Sequence, residues 1–109
     1  MDKLWKSVER RVAEILGGIR VPVSGRQRGD SPDVLHPMFS VEVKHREKMP
    51  YWLFDAMIQA EASQRHGQIP LVVLHENGMS IPMSFAIVRL ADLVEIYRQV
   101  ESQNEKVIA

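Results

Sequence analysis

The chain predicts a small α/β sandwich, and three observations carry that reading. Segments of helical periodicity alternate with short β-patterned runs in the order helix, three strands, helix, two strands, helix. One run, PLVVLH at 70–75, is continuously apolar in the manner of a buried central strand. The 109 residues, 45% of them hydrophobic, suit one core of ordinary domain size, so 1–109 is expected to form a single domain.

The first helix is expected over 3–16. Leu4, Trp5, Val8, Val12, Ile15 and Leu16 recur at helical spacing, and Gly17-Gly18 ends the segment. IRVPV at 19–23 reads as a short strand, with Pro22 marking an edge or a bend because it cannot donate to a ladder. The polar SGRQRGDS at 24–31 is a loop. A short strand over 33–35 and a turn at His36-Pro37 lead to FSVEVKH at 39–45, whose alternation predicts a third strand. Pro50 fits the first turn of a second helix, which carries Leu53, Ala56, Met57 and Ala60 inward and stops near His66-Gly67. The apolar run at 70–75, a turn at Asn77-Gly78, a strand over 81–88 and a helix over 90–102 complete the order, with a frayed tail from Gln103.

Composition excludes several classes. Cys is absent, which removes disulfide scaffolds and thiolate metal sites. No run approaches the ~18 apolar residues of a membrane span, and MDKLWKSVERR lacks the apolar core of a signal peptide, so a soluble, cytoplasmic protein with no membrane partner is expected. The net charge of zero hides an asymmetry. Residues 1–50 hold ten Lys/Arg against seven Asp/Glu, an excess of three bases, whereas 51–109 hold four against seven, an excess of three acids. Bases cluster at Arg20, Arg26 and Arg28 and again at Lys44, Arg46 and Lys48. That distribution fits a phosphate-binding face, and equally an unevenly charged solvated surface.

Four charged residues stand in places that need a reason. With Glu9 set at zero on the helical wheel, Leu4, Ile15, Val8, Val12, Trp5 and Leu16 fall between roughly −140° and −20°, and Ala13 at about +40°. Glu9 is thus the one charge inside the apolar arc, either paired with an Arg at its boundary or held by a metal. In FSVEVKH, Val41 and Val43 point one way while Ser40, Glu42 and Lys44 point the other. Asp33 lies nine residues before Glu42, a spacing that lets a turn and return strand set the two side by side; a turn Asp capping local backbone is the plainer alternative. Three carboxylates and an ammonium could converge there. Oxygen donors of this kind suit Mg²⁺ or Mn²⁺ and phosphodiester hydrolysis.

Pro32-Asp33 followed by Glu42-Val43-Lys44 resembles the motif of the PD-(D/E)XK nuclease superfamily. The element order is similar to that superfamily's restriction-endonuclease-like core, a central mixed sheet flanked by helices. Glu9 on the first helix and the Ser/Gly-rich SGRQRGDSPDV look like the archaeal-type and phage Holliday junction resolvases. The resemblance spans about residues 5–76. It implies a Mg²⁺-dependent endonuclease, with Mn²⁺ able to substitute, in which Glu9, Asp33, Glu42 and the Val43 carbonyl hold metal. Lys44 would position the attacking water, and Gln59 would support the site. Ser24, Arg26 and Arg28 would touch the DNA backbone, with Arg20, Arg46 and Lys48 extending the track. Resolvases cut a four-way junction symmetrically, so a homodimer is implied. The apolar stretch Met49, Tyr51, Trp52, Leu53, Phe54 and Met57 serves either as its interface or as monomer core. A flap or nicking enzyme of the same superfamily and a non-catalytic DNA-binding subunit are the rival expectations. The four His residues have no metal-site spacing. His45 is expected on the Val side of its strand, and His36 lies between the motif acids.

Overall fold

The computed structural model describes residues 4–22 and 31–108, the side chains of Val107 and Ile108 excepted. It is mixed α/β and contains helices α1 (Leu4–Leu16), α2 (Tyr51–Ala62) and α3 (Leu90–Ile108). Strands β1 (Ile19–Arg20) and β2 (Val34–Leu35) form one antiparallel pair, and β3 (Val72–Leu74) and β4 (Phe85–Ile87) form another. The chain packs as two compact units, residues 1–47 and 48–109.

In the first unit, α1 forms because its apolar residues share a face, and it stops because two glycines follow. Gly17 takes a φ of 77°, and the N–H groups of Gly17 and Gly18 donate to the carbonyls of Glu14 and Ala13 at 3.2 and 2.8 Å. This double closure is the Schellman end that left-handed glycine permits. Gly18 is a glycine for a second reason. A Cβ there would stand 2.4 Å from the Leu35 carbonyl oxygen and 2.7 Å from a Val34 methyl, so the helix end seats directly on β2. Register sets Arg20 opposite Val34 and Ile19 opposite Leu35. The Val21 N–H donates to the Asp33 carbonyl at 2.9 Å, and the Asp33 N–H donates to the Val41 carbonyl at 2.8 Å. Val34 is fully buried, and Ala13 and Leu16 of α1 are the other buried apolar side chains described in this unit.

His36 closes the turn that follows β2. Its Nδ1 accepts the N–H groups of Met38 and Phe39 at 3.1 and 3.3 Å, and its Nε2 lies 3.2 Å from the Leu16 carbonyl. Backbone N–H groups only donate and a carbonyl only accepts. The neutral tautomer with hydrogen on Nε2 is therefore the one these partners require. The ring also stacks on Phe39 with centroids 5.0 Å apart.

In the second unit, α2 turns Leu53, Ala56, Met57 and Ala60 inward as its spacing predicts, with Met57 buried. Arg89 donates to both carboxylate oxygens of Glu61, at 2.7 and 3.2 Å, and so joins α2 to the start of α3. Val72 and Val94 contribute the rest of the buried apolar set.

Several expectations change. The described strands make two small antiparallel sheets where one central mixed sheet is predicted. Within 39–45 only Val41 pairs, in a single bridge with Val34, although the alternation of faces holds: Val41 and Val43 are half-buried, and Ser40, Glu42 and Lys44 are exposed. A continuous ladder needs backbone partners along its length, and side-chain alternation does not supply them. The run at 70–75 is not buried throughout, since Val72 is inward but Leu71 and Val73 are exposed. Pro82 shapes the start of 81–88, where Ile81–Met83 is a 3-10 turn and only 85–87 is strand. The last helix is longer than the 90–102 predicted, because α3 continues to Ile108.

Candidate functional site

The residues singled out from the sequence gather mainly in the first unit. Glu9 projects from the buried face of α1 and is 5% exposed; Asp33, at the entry to β2, is 4% exposed. Among the described residues these are the two buried charged side chains. A carboxylate at such depth needs a cation or several donors. Glu9 Oε1 accepts a hydrogen bond from Arg20 Nε at 3.0 Å, and the Arg20 side chain is 16% exposed. Its guanidinium carbon lies 6.0 Å from the centroid of the Trp5 ring, within cation–π range. Arg20 is thus directed at an acid in the interior, where an exposed phosphate contact is expected from the sequence.

Asp33 is engaged on backbone as well as side chain. Besides its two ladder bonds, its Oδ2 accepts the Val43 N–H at 2.6 Å. The Val34–Val41 bridge sets residue 33 level with residue 42, so Asp33 and Glu42 lie on neighbouring extended segments as their spacing predicts. Glu42 and Lys44 share the outward face, with Lys44 Nζ 3.7 Å from a Glu42 carboxylate oxygen and both side chains open to solvent. An ion pair of that kind adds little to stability, so the fold has little use for Lys44 there.

The elements form a connected polar path. It runs from Glu9 to Arg20, along the β1–β2 pairing to Asp33, and through the Asp33 carboxylate to the Val43 N–H beside Glu42 and Lys44. No family model, no curated protein and no solved structure matches this chain. The function therefore rests on the residues themselves.

Among the described residues, no three His, Asp or Glu side chains gather closely enough to hold a metal ion. Asp33 and Glu42 on neighbouring segments offer two carboxylates, and the Val43 carbonyl is a further oxygen on the same segment as Glu42. Mg²⁺ typically takes one or two carboxylates and completes its shell with waters, so the chemistry of this donor set fits a hard divalent cation. Glu9 does not join that set while Arg20 engages it.

Arg46 and Lys48 are exposed, Lys48 at the start of the second unit. Gln59 is an exposed residue of α2, also in the second unit. Ser24, Arg26 and Arg28 lie outside the described residues. No sequence pattern marks His36 as the connector that its hydrogen bonds make it. Its only signal was position, in the turn between the two motif acids. His45 is exposed, so it does not share the half-buried Val face.

Proposed function

We propose that this chain is a metal-dependent DNA endonuclease of the PD-(D/E)XK type, and that its substrate is branched DNA, a four-way junction in the first instance. The observation that carries the reading is the burial of Glu9 and Asp33, two acids selected from sequence pattern alone, on elements joined by Arg20 and the β1–β2 pairing. Asp33, Glu42 and the Val43 carbonyl would hold Mg²⁺ or Mn²⁺, which when bound supplies Lewis acidity and an acidified water. The Asp33–Val43 hydrogen bond fixes the relation between the motif acid and the Glu42–Lys44 segment. Lys44, paired with Glu42 at 3.7 Å and open to solvent, would orient the attacking water and offset charge developing on the phosphate. The exposed Arg46 and Lys48 add sequence-independent phosphate affinity.

The test incubates the protein and Mg²⁺ with a four-way junction, a flap and plain duplex. Paired symmetric nicks confined to the junction support the resolvase, selective flap cutting supports the flap enzyme, and equal cutting of duplex removes structure selectivity. Asp33→Asn and Lys44→Ala should each abolish cutting and leave DNA binding measurable; unchanged cutting by both variants would falsify the catalytic assignment. One observation favours a non-catalytic DNA-binding subunit as a second reading: Glu9 already has its cation in Arg20. That reading expects binding to branched DNA with no cutting in Mg²⁺ or Mn²⁺.

A further inference from the structure

We propose that the loop after α2 is a nucleotide-binding site, made wholly by the second unit. Two glutamine amides contact the edge of a nucleobase there, and Arg65 meets the phosphate. The proposal goes beyond the nuclease reading and uses none of its metal residues.

The loop over 63–68 is closed by its own side chains. Gly67 turns it with a φ of 82°, in the left-handed region. The Arg65 N–H donates to Gln68 Oε1 at 2.8 Å, and the Gln68 N–H donates to the Arg65 carbonyl at 3.0 Å. Gln64 Nε2 donates to the Gln68 carbonyl at 3.2 Å. These partners fix both amide orientations. A backbone N–H only donates, so the Gln68 atom facing it is oxygen; a carbonyl only accepts, so the Gln64 atom facing it is nitrogen. Each glutamine thus uses one half of its amide to brace the loop. Among the described residues, the Gln64 Oε1 acceptor and the Gln68 Nε2 donor have no partner.

Both glutamines border an open concavity of about 390 Å³, together with Ser63 and the apolar Ala60, Pro70 and Leu71. Small-molecule sites run roughly 300–1,000 Å³ and combine apolar surface with a few polar groups. A donor and an acceptor over apolar surface complement a planar heterocycle that carries both, as the pairing edge of a base does. Arg65 and His66 stand exposed at the tip of the same loop. Residues 62–75 contain no Asp or Glu, and the acid before them, Glu61, is engaged by Arg89. A phosphate reaching Arg65 therefore meets a guanidinium and no opposing carboxylate from its own segment. Because the braces order the loop before a ligand arrives, binding carries little further ordering cost. A free nucleotide and an unpaired nucleotide of a single strand present this same chemistry, whereas a paired base has its edge occupied.

The experiment follows the glutamine side-chain amides of the full chain in nitrogen-15 spectra. The probes are thymidine monophosphate, thymidine, inorganic phosphate and an oligothymidylate strand. Thymidine monophosphate should shift the Gln64 and Gln68 signals saturably, and inorganic phosphate should leave them in place. Gln68→Glu keeps an oxygen for the Arg65 N–H and removes the donor half. It should weaken thymidine and its monophosphate alike, by about fivefold. Arg65→Ala should weaken the monophosphate by about three- to tenfold and leave thymidine unchanged. Should Gln68→Glu fail to fold, the wild-type titrations still decide. Tighter binding of the strand than of the mononucleotide assigns the site to unpaired DNA, and the reverse order assigns it to free nucleotide. No saturable shift with either probe, or an equal shift with phosphate alone, overturns the proposal. A chain that cuts branched DNA without a glutamine shift loses this site and keeps the nuclease reading. One that binds thymidine monophosphate and cuts no DNA keeps the site and loses that reading.

Discussion

Gly17 and Gly18 are glycines for different reasons, and their substitutions should separate. At Gly18 the obstacle is contact with the Leu35 carbonyl and the Val34 methyl, so Gly18→Ala should destabilise by about 1–3 kcal/mol as β2 is pushed away. At Gly17 nothing lies within reach of a Cβ, and the obstacle is the positive φ alone; Gly17→Ala should cost about 1–2 kcal/mol. Denaturant melts of the two variants measure both. Asp33 permits a similar separation. Asparagine keeps an oxygen for the Val43 N–H, whereas alanine leaves that donor without its acceptor. Asp33→Ala should therefore lose about 1–3 kcal/mol of stability, and Asp33→Asn distinctly less while still losing cleavage. Circular-dichroism melts set beside nicking assays check the pair.

At the scale of elements, the Glu61–Arg89 bridge joins α2 to the start of α3. The Arg89 hydrogen bond holds the Glu61 carboxyl below its usual range, burial opposes the shift, and the Arg89 charge adds to it. A carboxyl lowered in the folded state stabilises above its unfolded value and loses that contribution as pH falls through the lowered one. Wild type should therefore lose stability on acidification across and below the ordinary glutamate range, and Glu61→Gln should show a shallower acid limb in melts from pH 7 to pH 3. Element types were largely legible: α1 and α2 follow from apolar spacing, and Gly17 stops α1 where the pattern ends. The facing of 39–45 was legible too, because alternation belongs to the side chains. Its pairing was not, because a ladder depends on backbone partners elsewhere in the chain. The same division holds at the candidate site. Glu9's burial followed from the wheel, but its partner Arg20 lies eleven residues on, past a helix end that a wheel cannot carry across.

Over the whole molecule, α2 presents large apolar side chains to solvent. Tyr51 is 80% exposed and Trp52 56%, with Phe54 and Ile58 also open. An exposed aromatic group of this size commonly marks an interface. With the proposed junction-cutting role, a homodimer is expected, and light scattering should give twice the mass of one chain; Trp52→Glu should shift it toward monomer. No helix among the described residues is long and apolar enough to cross a membrane. The first unit also carries its own spectroscopic reporter in His36. With Nδ1 accepting two amide hydrogens and Nε2 facing a carbonyl, the ring nitrogens are chemically distinct. In nitrogen-15 spectra they should appear as one pyridine-like and one pyrrole-like resonance. Opening of the turn would let the tautomers interconvert and draw the two signals together, so a single imidazole reads out whether the segment between Asp33 and Glu42 is closed.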